Sequence, residues 1–228
     1  MTRKKTSEVP VYRIDLPDSV DWTLEDLYVF PRTFEQCYTF IYCLDSDLPA
    51  KDKHAIDNAF VNYPWAGGYS YVNFYQILRT RVPLKSRPKL RSIHKASPGW
   101  IELALNLDVA VEVAKSVALI SGSAAAAAAA YKKAWQLLLN LRTDKEKAKT
   151  EQLRQKKKQI QEVRETCDEL ASCIGFASLT DLHNRTKDPE ISLKMLSAHY
   201  RRMRTLHEYD LKGKVRLPWS KDFDHPSE

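Results

Sequence analysis

Glycine is scarce in this chain, with six in 228 residues. Few positions can therefore take positive φ at no steric cost, which disfavours a fold of many tight turns and favours helices. Cysteine is also sparse: Cys37, Cys43, Cys167 and Cys173. Within each pair the spacing is too wide for a CxxC or Cx4C metal knuckle, and no histidine stands beside either pair at ligand spacing. The expected reading is four buried, reduced thiols in a cytoplasmic chain, with no metal and no cofactor.

The familiar catalytic signatures are missing as well. There is no GxSxG elbow, HExxH pair, Walker loop or dinucleotide fingerprint. Glu102 with Glu112 does not make a catalytic pair, and Asp181 near His183 marks no nucleophile. Asp21, Glu25 and Asp26 suit a capped first helical turn better than a metal site. Gly67 and Gly68 suit a turn and are not followed by the lysine of a phosphate loop. No catalytic residue is assigned, and a non-enzymatic role is expected.

A long hydrophobic run is lacking too. Residues 116–131 carry no charge but fall short of the ~20 apolar residues of a membrane-spanning helix. Lys115, Lys132 and Lys133 bound them, so a stable span is not expected. The opening MTRKKTSEV is basic with no apolar run after it, so no signal peptide is read. Residues 1–9 are expected to be disordered.

What the chain does have is an ordinary balance for a soluble protein, 43% hydrophobic and 29% charged, with a net charge of +7. The surplus lies beyond residue 50, since acids outnumber bases before it. VYRIDL at Val11–Leu16 alternates as a strand does. Asp21 or Thr23 then caps an aromatic-rich helix that includes Trp22, Tyr28, Phe30, Phe34, Tyr38, Phe40 and Tyr42, with a kink or a break at Pro31. A short helix is expected over 53–60. Branched and aromatic residues over 71–82 predict a strand, and KLRSIHK over 89–95 a second one, giving a hairpin with its turn at 83–88. Lys89, Arg91 and Ile93 are expected on one face of that strand.

The hairpin carries Arg79, Arg81, Lys85, Arg87, Lys89, Arg91 and Lys95 with no acid among them. These are candidate polyanion-binding residues, and Tyr69, Tyr71, Phe74 and Tyr75 would stack on bases if exposed. Lys156, Lys157 and Lys158 are a second candidate cluster. The competing reading is a solvated basic edge that discourages edge-to-edge aggregation.

Ser97-Pro98-Gly99 predicts the start of a long helix, with Ser97 as cap and Pro98 in the first turn. Ser121-Gly122-Ser123 predicts a kink, and seven alanines, 124–130, follow it. Leu153, Ile160, Cys167 and Ile174 recur at seven, with Val163 and Leu170 between them, as in a heptad. That pattern predicts an antiparallel hairpin with the alanine-rich helix or a coiled-coil dimer. Candidate interface residues are Ala124, Ala127, Tyr131, Trp135, Leu138, Leu153, Ile160 and Cys167. Gly175 is expected to end this helix, and Asp188-Pro189 to start the last one, with Arg201, Arg202 and Arg204 mostly off its packing face.

The fold class predicted is α+β, predominantly helical, with a small antiparallel sheet of about three strands. Residues 1–96 would hold the small α+β region with the basic hairpin, 97–211 the helical bundle or hairpin, and 212–228 an extended tail. The expected function is protein–protein interaction or self-assembly through the alanine-rich and heptad-bearing helices, with the basic hairpin meeting a polyanion or an acidic partner. The partner would be a second copy or another protein. The alternatives are a non-specific DNA or RNA binder and a membrane-active effector that exposes residues 100–141 after a trigger.

Overall fold

The computed structural model describes residues 10–17, 21–44, 48–62, 71–94, 96, 98–147 and 152–218, without the side chains of 61–62, 71–73, 142–147 and 152–157. Val11–Leu16 (β1) is the expected strand, with Tyr12 and Ile14 buried and their neighbours half-exposed. Thr23 caps Leu24–Leu44 (α1): its hydroxyl accepts from Asp26 N at 3.2 Å, while Asp26 Oδ2 accepts from Thr23 N at 2.7 Å. α1 runs through Pro31 as one helix, so the alternative of two shorter helices is not what forms. Phe30, Phe34, Tyr38, Phe40 and Tyr42 are buried along it, as expected of core. Each such ring contributes about 1.5–3 kcal/mol by leaving water.

Ala50–Asn62 (α2) and Tyr71–Arg81 (α3) follow. The strand expected over 71–82 is therefore a helix. Phe74, Tyr75, Leu78 and Val82 are all buried, and their spacing of one, three and four is that of a helix face. Composition favoured a strand, but burial of this stripe against α1 decides the backbone.

The hairpin expected between 71–82 and 89–95 therefore does not form, and a different one takes its place. Lys89–His94 (β2) pairs antiparallel with Gly99–Ala104 (β3), which also pairs with β1, giving the order β1-β3-β2. The helix expected from Pro98 is thus a strand first. Trp100 and Glu102 point to one face and Ile101 and Leu103 to the other, an alternation that a sheet with two neighbours rewards. Gly99 permits the tight approach at the turn, since a Cβ there would stand 2.8 Å from His94 O. The expected common face of Lys89, Arg91 and Ile93 is also broken. The register shifts between Leu90 and Ser92, leaving Arg91 as the extra residue of a bulge.

The long helix, Leu107–Lys147 (α4), starts after Asn106, whose Oδ1 accepts from Asp108 N at 3.0 Å. It kinks where expected: Ser123 has φ −127° and ψ 19°, and its hydroxyl lies 2.8 Å from Cys173 O. Gln152–Cys173 (α5) ends at Gly175, which has φ +60° and closes the helix with bonds from Gly175 N to Ser172 O and from Phe176 N to Ala171 O. Leu179–Thr186 (α6) precedes Pro189–Leu211 (α7), whose cap Asp188 accepts from Glu190 N at 2.8 Å.

α7 packs on α1, α4, α5 and α6 and is the centre of the bundle. After it, the chain returns to the sheet: Arg216 and Asp15 exchange backbone hydrogen bonds, and Tyr12 donates to Pro218 O at 3.0 Å. This cross-bridge covers part of the outer edge of β1. β2 is the other edge, and every residue in it is exposed except half-buried Ser92. The whole is a predominantly helical fold with a three-stranded antiparallel sheet, an aromatic-rich first helix and a C-terminal helix bundle.

Candidate interaction surfaces

The basic stretch folds as a helix end, a turn and an edge strand. Two of its arginines are engaged in the structure. Arg79 Nε stands 2.7 Å from Glu35 Oε1 of α1, and Arg87 Nε donates to Val82 O at 3.0 Å, just past the last turn of α3. Arg81, Lys85, Lys89 and Arg91 are exposed, and among the described residues none of them meets a carboxylate. Lys95 lies outside the described residues, as do Gly67, Gly68, Tyr69 and residues 1–9. Large apolar side chains stand among the charges: Leu84 is 72% exposed, Leu90 59% and Ile93 53%.

The aromatic residues do not join this surface. Phe74 is buried edge-on against Phe60, and Tyr75 lies beneath Arg202, whose guanidinium carbon is 3.8 Å from the ring centre. Neither can stack on a base. The side chains of Tyr71, Lys156 and Lys157 are not among those described, and Lys158 is exposed.

Helix periodicity divides the alanine tract, which follows the kink, into an inner and an outer side. Ala127, Ala130 and Ala134 are fully buried. Ala124, Ala125, Ala126, Ala128 and Ala129 are exposed, continuing a strip that begins at Ala118 and Gly122. Leu119, Trp135 and Leu139 flank this strip and are about half-exposed. Tyr131 and Leu138 are half-buried.

The heptad of α5 is used within the chain. Val163, Cys167, Leu170 and Ile174 are buried where α5 packs on α4 and α7, and among the heptad side chains described only Ile160, 48% exposed, leaves the seam. Ala127 and Cys167 therefore cannot meet another molecule without opening the bundle. The side chain of Leu153 is not among those described.

On the outer face of the sheet each strand supplies one member of a stack. Arg13 of β1 lies 4.2 Å from the Trp100 ring of β3, and His94 of β2 stacks on the same ring at 4.4 Å. Ser92 donates to Glu102 Oε2 beside them at 2.7 Å. These contacts brace the sheet from outside.

The buried polar groups sit in the helical core. His199 is fully buried between Phe40 and Phe176, and among the described residues neither ring nitrogen has a hydrogen-bond partner. Burial first, and then the Arg202 guanidinium, push its pKa down to about 3, so the ring is neutral. Its place in the i, i+4 series Met195, His199, Met203 was the available sequence signal. Arg202, expected off the packing face, is half-buried and donates to Gln36 Oε1 at 2.6 Å.

Burial pushes the thiols of Cys37 and Cys167 up to about 12, which keeps them protonated and poor nucleophiles. At the α4 kink, Ser121 Oγ lies 3.1 Å from His207 Nδ1, tying α4 to α7. His183 Nδ1 lies 2.8 Å from Ser192 Oγ within the α6–α7 corner. Among the described residues, no group of three or more His, Cys, Asp or Glu side chains is placed to hold a metal ion.

The arrangement defines a helical α+β protein with two outward surfaces, one basic and edged by a strand, the other uncharged and helical. No protein-family model, curated protein or solved structure matches the chain.

Proposed function

We propose that this chain is a non-enzymatic assembly subunit that associates with a second copy through the outer face of α4. The observation that carries this reading is the exposed strip of small, uncharged residues from Ala118 through Gly122 and Ala125 to Ala129. Small side chains let two helix backbones approach closely, and small against small is self-complementary, as a two-fold interface requires. The strip itself carries no charge, and exposed Lys115 and Lys132 bound it at its two ends.

The inner alanines and the α5 heptad belong to the monomer fold, so the seam expected at Ala127 and Cys167 moves outward to Ala125 and Ala129. The test is molar mass by light scattering across a concentration series, with Ala125→Glu as the disrupting variant.

Two other readings lose support. For a nucleic-acid binder, Phe74 and Tyr75 are buried and unavailable for stacking, which leaves among the described candidate side chains the exposed cations Arg81, Lys85, Lys89, Arg91 and Lys158 for phosphate contacts. A membrane role has the length of α4 in its favour. Over Leu107–Leu141 this helix is long and apolar enough to cross a bilayer, further than the uncharged run alone suggests. Its inner face, however, packs on α7 and α5.

A further inference from the structure

We propose that β2 is a docking edge for an acidic, extended segment of a partner protein, which adds to the sheet as a further strand. The sheet has two edges. That of β1 is bridged by Arg216, while β2 pairs only with β3 among the described strands and is the most exposed strand of the sheet. An edge strand presents unpaired N–H and C=O groups, and an extended segment can pair with them in register.

The side chains say which segment. Leu90 and Ile93 offer half-exposed apolar contacts on the face shared with Ile101 and Leu103. Lys89 and Arg91 add positive charge along the same strand, and Lys85 in the turn and Arg81 at the end of α3 extend it. A strand that alternates acidic and apolar residues answers both features. A second copy does not: β2 against β2 would bring two positively charged strands side by side with no acid between them, and the bulge at Arg91 breaks the regular register that such a pair needs. A nucleic acid would use the charges but leave the backbone groups and the apolar contacts idle.

The inference rests on the reading of the chain as an interaction protein, but not on the α4 strip. Binding at β2 and self-association at α4 are read by different measurements, so either can fail alone.

The experiment uses the full chain and a labelled, end-blocked peptide of alternating glutamate and valine, followed by fluorescence anisotropy at low salt. Two further peptides carry backbone N-methyl groups, one at every valine and one at every glutamate. A single-stranded RNA oligonucleotide serves as the charge-only probe. The expected result is that the parent peptide binds and that one N-methyl set, whose amides would face β2, weakens binding by at least about tenfold while the other does not. The double variant Lys89→Glu/Arg91→Glu is expected to weaken it by at least about tenfold with an unchanged thermal midpoint. Should that variant unfold, the two N-methyl peptides still decide the matter on the unaltered chain. Equal binding of both N-methyl peptides and their parent would overturn the proposal. So would no binding at about 1 mM peptide, or RNA binding tighter than the peptide.

Discussion

Lys214 Nζ lies 2.5 Å from Asp26 Oδ2 and joins the segment after the last helix to the first turn of α1. Both side chains are largely buried, and Asp26 also accepts from the Thr23 amide and hydroxyl. Burial alone would raise the Asp26 pKa. The hydrogen bond from Lys214, then those from Thr23 and Tyr209, outweigh it and hold the carboxyl well below the usual range. Asp26→Ala leaves Lys214 without its carboxylate and is expected to cost about 3 kcal/mol in urea unfolding. The sign in pH follows from the lowered value. The unfolded chain takes up the proton first, so this contribution is complete above about pH 4 and is lost as pH falls through the folded pKa.

His199 gives the second pH prediction. Its pKa, pushed down to about 3 in the fold, stands below the ~6.5 of an unfolded histidine. The unfolded chain therefore binds a proton between those values that the folded chain does not. Stability should fall as pH drops from about 6.5 towards 3, by up to ~1.4 kcal/mol per pH unit from this residue alone. His199→Phe fits a site already walled by Phe40 and Phe176 and removes two unsatisfied nitrogens. Chemical unfolding from pH 4 to 7 should show the variant's slope flatter by that amount, and a slope equal to the parent's would contradict the assignment.

Gly175 tests how α5 ends. Its φ is +60°, and a Cβ there would meet Leu119 Cδ1 at 2.2 Å. Leu119 can swing away because it is half-exposed, so the backbone strain should dominate. Gly175→Ala is expected to lower stability by about 1–2 kcal/mol, and thermal unfolding of the variant measures it.

What could be read from the chain beforehand divides by the range of the cause. Thr23 with Asp26, Gly175 and Asp188-Pro189 act on their own helix ends, and each ends or begins a helix where expected. Val11–Leu16 shows a clean alternation and is a strand. The errors fall where distant partners decide. Residues 71–82 have strand composition, yet form a helix because Phe74, Tyr75, Leu78 and Val82 bury together against α1. Gly99–Ala104 follows a good helix-start signal, yet is drawn into the sheet by β1 and β2, which stand on either side of it. The basic residues were visible as a run. Which were engaged, Arg79 with Glu35 and Arg87 with Val82 O, depended on α1 and the end of α3. The alanine tract likewise did not announce its outer side, because seven identical residues carry no pattern of their own and the inward face, Ala127 with Ala130, is set by where α5 and α7 pack on α4.

The inner and outer alanines should respond differently to the same change. Ala127 is fully buried, so Ala127→Glu places a carboxylate in the core and is expected to cost several kcal/mol, about 3 or more, seen as loss of the cooperative thermal transition. Ala125 is exposed, so Ala125→Glu should leave the monomer's circular dichroism and thermal midpoint within experimental error of the parent.

That contrast makes light scattering the most direct measurement of the assembly claim. Across a dilution series, the parent chain should move from the mass of a dimer towards the 26.3 kDa monomer, while folded Ala125→Glu stays monomeric throughout. A parent that remains a monomer at the highest concentration reached, or an Ala125→Glu variant that associates as the parent does, would contradict the account.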